Sequence, residues 1–342
     1  MTVSRRQFSK SIVASAIASG LSGLNGLTGL TNLFAEPVKQ TAKSIDEAVL
    51  VGVEHGPIVF NSGAHLNPHS NAIEDYTKLP SSRTPVSALQ GLSVQHLNTR
   101  TLISKRTVIA EPLLSPSDRI SGVTHLADGS LLVLINPDAG SANGGEPSRL
   151  VTIHEKKVSG IATVSGLSRD QGLDSLCLLR SGKLIGMITK KDGTGPAQIV
   201  LVNRSGATGD VTVTNLLNLP VNRRFSTLAE GLDGTIYTSV FRSNGTTELW
   251  TVDMNSRTAK EKIGLTALSG CSSKTCTNVP DVTPWYHGLQ SLIVTPAGEL
   301  LAHGNLEYFL PNSLYAINLS TGFMTEIDSY PVARVSLGKH AG

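Results

Sequence analysis

The sequence is short of charge, of aromatic residues and of cysteine. Of 342 residues, 16% are charged and 4% are aromatic, and three are Cys. Apolar residues still make up 39%, enough for a core, so the chain is not a disordered polymer, which combines low hydrophobicity with high net charge. Glu, Lys and Ala do not dominate, which excludes a coiled coil. Long 3.6-residue periodicities are absent. So are the common catalytic strings: there is no GxSxG elbow, no HExxH, no GxGxxG and no GxxxxGK ending in Ser or Thr. The one long apolar run, Ser11 to Ala35, is diluted by Gly20, Gly23, Gly26 and Gly29 and is too polar for a bilayer span, which wants about 20 predominantly apolar residues.

What is present begins at the first residues. Ser4-Arg5-Arg6-Gln7-Phe8-Ser9-Lys10 followed by that weakly apolar run has the parts of an export signal: a basic start, an apolar middle and a small residue at the end. The string resembles the twin-arginine (Tat) signal, usually Ser/Thr-Arg-Arg-x-Phe-Leu-Lys, with Ser9 standing where Leu is commonest. The resemblance implies the Tat translocase as a partner during export, passage of the folded chain, and a periplasmic or secreted destination. A signal peptide at 1–35 is expected, with no membrane span in the remainder. The formal charge of +3 then changes meaning. Arg5, Arg6 and Lys10 lie in the signal, and residues 36–342 hold 26 basic and 26 acidic side chains. A neutral chain without a basic stripe is not a nucleic-acid binder, which needs cations to displace phosphate counterions.

Glycine is plentiful, at 33 residues, and it marks a repeat. Apolar strand, Gly turn, apolar strand recurs around Gly129, Gly182, Gly234 and Gly298, spaced 53, 52 and 64 residues apart. Counting back from each Gly, one slot is always small: Gly122, Ser175, Thr227 and Ser291. A further strand ends on a polar residue at His154, Asn203, Asp253 and Asn318, with a fainter copy at Leu92 to His96. A unit of about 50 residues with three or four strands is the signature of a β-propeller blade. The fold class expected is therefore all-β, a β-propeller over 86–342. Five blades are visible. Six are open if Val49 to Phe60 or Val332 to Leu337 adds a further inner pair. Residues 36–85, rich in Pro and Ser, read as a loop-rich N-terminal extension that either wraps the propeller or completes its last blade. Gly288-Leu289 with Pro296-Ala297-Gly298, and Asp233-Gly234-Thr235-Ile236-Tyr237, resemble the loose repeat of NHL and gluconolactonase-type propellers. That resemblance implies a fold and not an activity.

Propellers take ligands at the mouth of the central channel, on the loops entering each inner strand. These loops carry Arg119, Arg169, Asp170 and Arg224, and then Trp285, Tyr286 and His287. Several guanidinium groups favour a carboxylate or phosphate by bidentate pairing. Trp285 and Tyr286 offer a stacking surface suited to sugars, and His287 is the candidate acid or base. Cys271 and Cys276 are close enough for a local disulfide in an oxidising compartment, two free thiols being the other reading, and Cys177 sits in an apolar slot as a packing residue. The loop from Asp138 to Glu146 has oxygen ligands suited to a divalent metal such as calcium but fails the EF-hand spacing, so no metal site is assigned. His303, Asn305 and Glu307 alternate, which sets them on one side of a strand. The function expected is an exported, monomeric propeller that binds a small anionic or sugar-like ligand or a protein. The alternative is a lactonase or hydrolase-type enzyme acting on an anionic sugar-like substrate at the channel mouth.

Overall fold

The computed structural model describes residues 48–56, 64–66, 73–75, 90–115, 118–137, 144–191, 196–206, 208–221, 223–241, 247–267, 288–305 and 312–338. Every regular element among them is a strand. The chain opens with β1 (Val49–Gly56), a short hairpin of β2 (Ala64–Leu66) and β3 (Ile73–Asp75), then β4 (Gln90–Asn98) and β5 (Ser104–Leu114). Four meanders come next. The first is β6 (Asp118–His125), β7 (Leu131–Pro137), β8 (Arg149–His154) and β9 (Lys157–Thr163). The second is β10 (Gln171–Leu178), β11 (Leu184–Lys190), β12 (Gln198–Arg204) and β13 (Val211–Asn218). The third is β14 (Arg224–Glu230), β15 (Ile236–Phe241), β16 (Thr247–Asp253) and β17 (Thr258–Ala267). The fourth is β18 (Gly288–Val294), β19 (Leu300–Asn305), β20 (Ser313–Ile317) and β21 (Phe323–Ser329), and β22 (Arg334–Leu337) ends the chain's strands.

Each meander is antiparallel in chain order, a fifth four-stranded set runs β22-β1-β4-β5, and a short parallel pairing of β17 with β21 joins the outer edges of the third and fourth meanders into one eight-stranded sheet. The inner strands β6, β10, β14, β18 and β22 each pack on the next, and β22 returns to β6. Five blades therefore close a ring, a five-bladed β-propeller. The two segments that left six blades open pair instead with each other, Leu50 opposite Leu337 and Val53 opposite Arg334. β22 supplies the inner strand and β1 the second strand of one closing blade, so strands of the propeller begin at Val49, inside the stretch 36–85.

Local chemistry explains the repeat. In the four inner hairpins, Gly129, Gly182, Gly234 and Gly298 have φ of 85°, 78°, 81° and 88°, where a side chain is strained. Each donates its N–H to the carbonyl three residues back, at Leu126, Leu179, Gly231 and Thr295. This is a type I turn closed by a glycine bulge. The outer turns use a different device. Asn98, Asp253 and Asn318 each accept two backbone N–H groups, from two and three residues ahead. This corrects one alignment: the closing blade's counterpart of Asp253 is Asn98, and His96 is an exposed residue within β4.

The small slot has a physical cause. β6, β10, β14 and β18 each carry a β-bulge at the same level, between Ile120 and Gly122, Asp174 and Leu176, Ser226 and Ala229, and Leu289 and Ser291. Neighbouring blades meet closely there: a Cβ on Gly122 would lie 3.2 Å from Leu176. Ser175 and Thr227 hold φ of 54° and 64°, a conformation that the surrounding sheet must enforce. The core lies between blades and not on the axis. Leu132, Leu134 and Leu150 of one blade pack on Leu173, Ile188 and Val200 of the next, and Leu50, Leu301 and Tyr330 fill the closing seam. Both faces of a blade are thus buried, which is why β7 is apolar throughout most of its length.

Side chains also stitch the seams. Asn136 Nδ2 donates to Leu173 O at 2.7 Å, and Ser148 Oγ accepts the Leu173 N–H at 3.0 Å. At the closing seam His303 Nε2 bonds Tyr330 O at 2.9 Å and Asn312 Nδ2 bonds Val332 O at 2.7 Å.

Candidate functional site

The N-terminal ends of the inner strands form one end of the channel. Here Asp118 caps the preceding loop, accepting the Ser115 N–H at 2.8 Å, and pairs with Arg149 at 2.5 Å. Strand alternation sends the next side chain, Arg119, the other way into a buried position, where its guanidinium donates to Lys191 O at 2.8 Å. Lys191 comes directly after β11 and is tied to the start of β10, because its N–H bonds Asp170 O at 2.8 Å. Its ammonium turns back to the neighbouring blade and donates to Gly144 O at 2.6 Å and Glu146 O at 2.5 Å. The Arg169 guanidinium lies against Gly145, where any side chain would collide with it. Asp170 accepts the Ser168 hydroxyl at 2.6 Å, and that bond holds its carboxyl below the usual range.

Arg119, Arg169 and Asp170 thus meet in one corner between two blades, joined by Lys191. Burial lowers the Lys191 pKa, and the positive charge of Arg169 lowers it further. Lys191 escaped sequence reading because it succeeds Lys190, which is exposed, and looks like half of a solvated pair. Arg224 stands half-buried at the first position of β14, one blade further round. Trp285, Tyr286 and His287 lie outside the described residues, as do Cys271, Cys276, Glu307 and the part of the calcium-like loop at 138–143. The remainder of that loop gives its Gly144 and Glu146 carbonyls to the lysine ammonium. Among the described residues no three His, Cys, Asp or Glu side chains gather as a metal site.

Midway along the axis the channel is crossed by Arg334. This buried side chain from β22 donates through Nε to Ser121 O at 2.9 Å and through Nη1 to Gln290 Oε1, and its Nη2 lies 3.6 Å from Asp174 Oδ1. One side chain therefore links four of the five inner strands. Burial pushes the Asp174 carboxyl up and the Arg334 guanidinium down, each countered by the other's charge.

Beyond this bar, the C-terminal halves of all five inner strands enclose a cavity of about 410 Å³. Ser175, Ser336 and Thr124 give it hydroxyls, and His125, Arg180 and Glu230 stand in its wall. Cys177 also borders it, and burial pushes its thiol up to about 12, so it is a neutral packing residue.

Two more titrating groups sit at the closing seam. Glu54 of β1 is buried, with Arg106 at 3.1 Å, and burial raises its pKa to about 7 against that pairing. His303 is fully buried, its ring 5.9 Å from the Tyr330 ring and edge-on to it, and burial lowers its pKa to about 4. It is a seam residue held by Tyr330, away from the channel mouth where an acid–base role would need it.

Among the described residues no helix is long and apolar enough to cross a membrane. No protein-family model matches the chain, and no curated protein does. Solved structures are similar at low identity. TolB from Acinetobacter baumannii is 11% identical at a TM-score of 0.41, over 85% of this chain and 66% of its own. An exo-β-1,3-galactanase from Phanerochaete chrysosporium is 11% identical at 0.47, over 70% and 57%. A putative 6-phosphogluconolactonase from Bacteroides fragilis is 12% identical at 0.38, over 87% and 99%.

Proposed function

We propose that this chain is an exported propeller that binds a small anionic ligand at the entry end of its channel. The observation that supports the reading is the convergence of Arg119, Arg169 and Lys191 on one corner, with two of the three buried and the Lys191 cation disfavoured first by burial and then by the Arg169 charge. Like charges held together repel, and a carboxylate or phosphate placed among them relieves that repulsion while accepting charge-assisted hydrogen bonds. Glu146 and Asp170 lie at the rim and are exposed, where solvent screens them. Export rests on the Arg5-Arg6 signal, whose likeness to the Tat pattern carries that part of the reading, and its destination is the periplasm or the medium. A hydrolytic alternative rests on His287, outside the described residues.

Titration calorimetry with gluconate and with inorganic phosphate tests the binding. At least one is expected to bind saturably, more weakly as salt rises, and Arg169→Ala is expected to weaken it about tenfold or more, the worth of one charge-assisted contact. Arg169 is exposed, so the variant should keep the wild-type melting temperature. Absence of binding by both anions, or an unchanged affinity in Arg169→Ala, refutes the reading. For export, a reporter fused to residues 1–45 is expected to cross the inner membrane only with Arg5 and Arg6 intact. Continued export after both are changed to Lys rules out the Tat route.

A further inference from the structure

We infer that the cavity beyond the Arg334 bar is a second binding site, separate from the entry corner, and that it takes a small uncharged polyol. Arg334, bonded to Ser121 and Gln290 and paired with Asp174, stands between this cavity's lining and the corner of Arg119 and Lys191.

The wall selects the class of ligand. Its charged groups are already engaged within the protein. Arg334 is countered by Asp174. Glu230 Oε2 accepts the backbone N–H of Arg180 at 2.6 Å, and the Arg180 guanidinium donates to Leu232 O at 2.8 Å. An ionic ligand would have to displace one of these bonds to gain a partner, whereas a neutral one leaves them intact. A purely apolar ligand fails for the opposite reason. All five inner strands are the terminal strands of their sheets, so alternate backbone N–H and C=O groups turn to the axis without a strand partner. Covering these with hydrocarbon leaves buried donors and acceptors unmade. A polyol hydroxyl both donates and accepts, and so suits a wall that mixes N–H, C=O and the hydroxyls of Ser175, Ser336 and Thr124. The aliphatic side chains between them, Leu176 and Leu292 among them, suit the carbon skeleton.

The test uses the full chain after export, with glycerol, glucose and myo-inositol as probes and gluconate as the charged control, read by saturation-transfer NMR and calorimetry. At least one neutral probe is expected to bind saturably with an affinity insensitive to salt. Ser336→Leu, which replaces a lining hydroxyl of β22 with a larger apolar group, is expected to weaken that binding at least tenfold. Thr124→Leu on β6 is the second variant and is expected to do the same. Arg169→Ala at the entry corner is expected to leave it unchanged, which separates this site from the anion site. No saturable binding by any neutral probe overturns the inference. So does gluconate competing for the neutral probe's site with equal or higher affinity, or undiminished binding in whichever of the two Leu variants retains the wild-type melting temperature.

Discussion

Arg334→Ala is expected to cost about 3–5 kcal/mol of folding stability, the usual result of removing one partner of a buried ion pair. The residue is at the first position of the strand that closes the ring, and its side chain reaches Ser121, Gln290 and Asp174 on three other inner strands. Removal leaves the Asp174 carboxylate buried without its nearest cation, the Ser121 carbonyl without its donor, and a cavity where the guanidinium stood. Asp174→Asn is expected to cost less, because the amide brings no charge and Arg334 retains its hydrogen bonds to Ser121 and Gln290. The two effects should not add: the double variant is expected to be more stable than the sum of the singles by about 0.5–3 kcal/mol. Paired replacement by Met at 334 and Leu at 174 should recover most of the loss, since apolar side chains of similar volume often substitute for a buried pair without penalty. Urea unfolding at neutral pH measures all four. A loss below about 1 kcal/mol for Arg334→Ala, or strict additivity, would show that the bar across the axis is incidental to the ring's stability.

The blade repeat could be read from the sequence because its turns impose local demands that any such chain must meet. Gly129, Gly182, Gly234 and Gly298 all adopt the positive φ that the spacing suggested, in the same turn. The closing blade escaped the pattern because its inner strand has no hairpin. β22 is joined to β1 by hydrogen bonds and by no turn, and a sequence pattern built on a Gly turn cannot register it. The same blade's outer turn starts at Asn98 and ends with Leu102 at φ 56° where a Gly is more usual, which moved the expected alignment to His96. Arg119, Arg169 and Asp170 were visible because they sit next to strand starts. Lys191 and Arg334 act at a distance: Arg334 is 213 residues from the Ser121 carbonyl it binds, and no local signal encodes that.

The closing seam should also reveal two opposed proton-linked effects. Glu54 titrates near 7 in the folded chain against an ordinary value of 4.5, so the native state holds the extra proton and stability falls as pH rises through that interval. His303 is depressed to about 4 from 6.5, so the native state lacks a proton the unfolded chain binds, and stability falls as pH drops through that interval. Each shift is worth about 3 kcal/mol when fully expressed, and the two slopes have opposite sign between about 4.5 and 6.5. The wild type is therefore expected to be nearly flat there through cancellation and not through absence of titration, with Asp174, raised by burial, adding to the Glu54 sense. Glu54→Gln should uncover the histidine and leave stability rising with pH. His303→Asn should uncover the acid and leave stability falling from about pH 5 to 7. Above about pH 7 Glu54→Gln should also be the more stable protein, because burial outweighs the Arg106 attraction in setting the Glu54 pKa. Thermal melts from about pH 4.5 to 8 read the slopes independently of any constant offset from lost packing. Parallel curves for wild type and both variants would mean that neither group titrates differently in the folded and unfolded chain. Opposite slopes would place two opposed parts of the pH response at Glu54 and His303, on either side of Tyr330 at the closing seam.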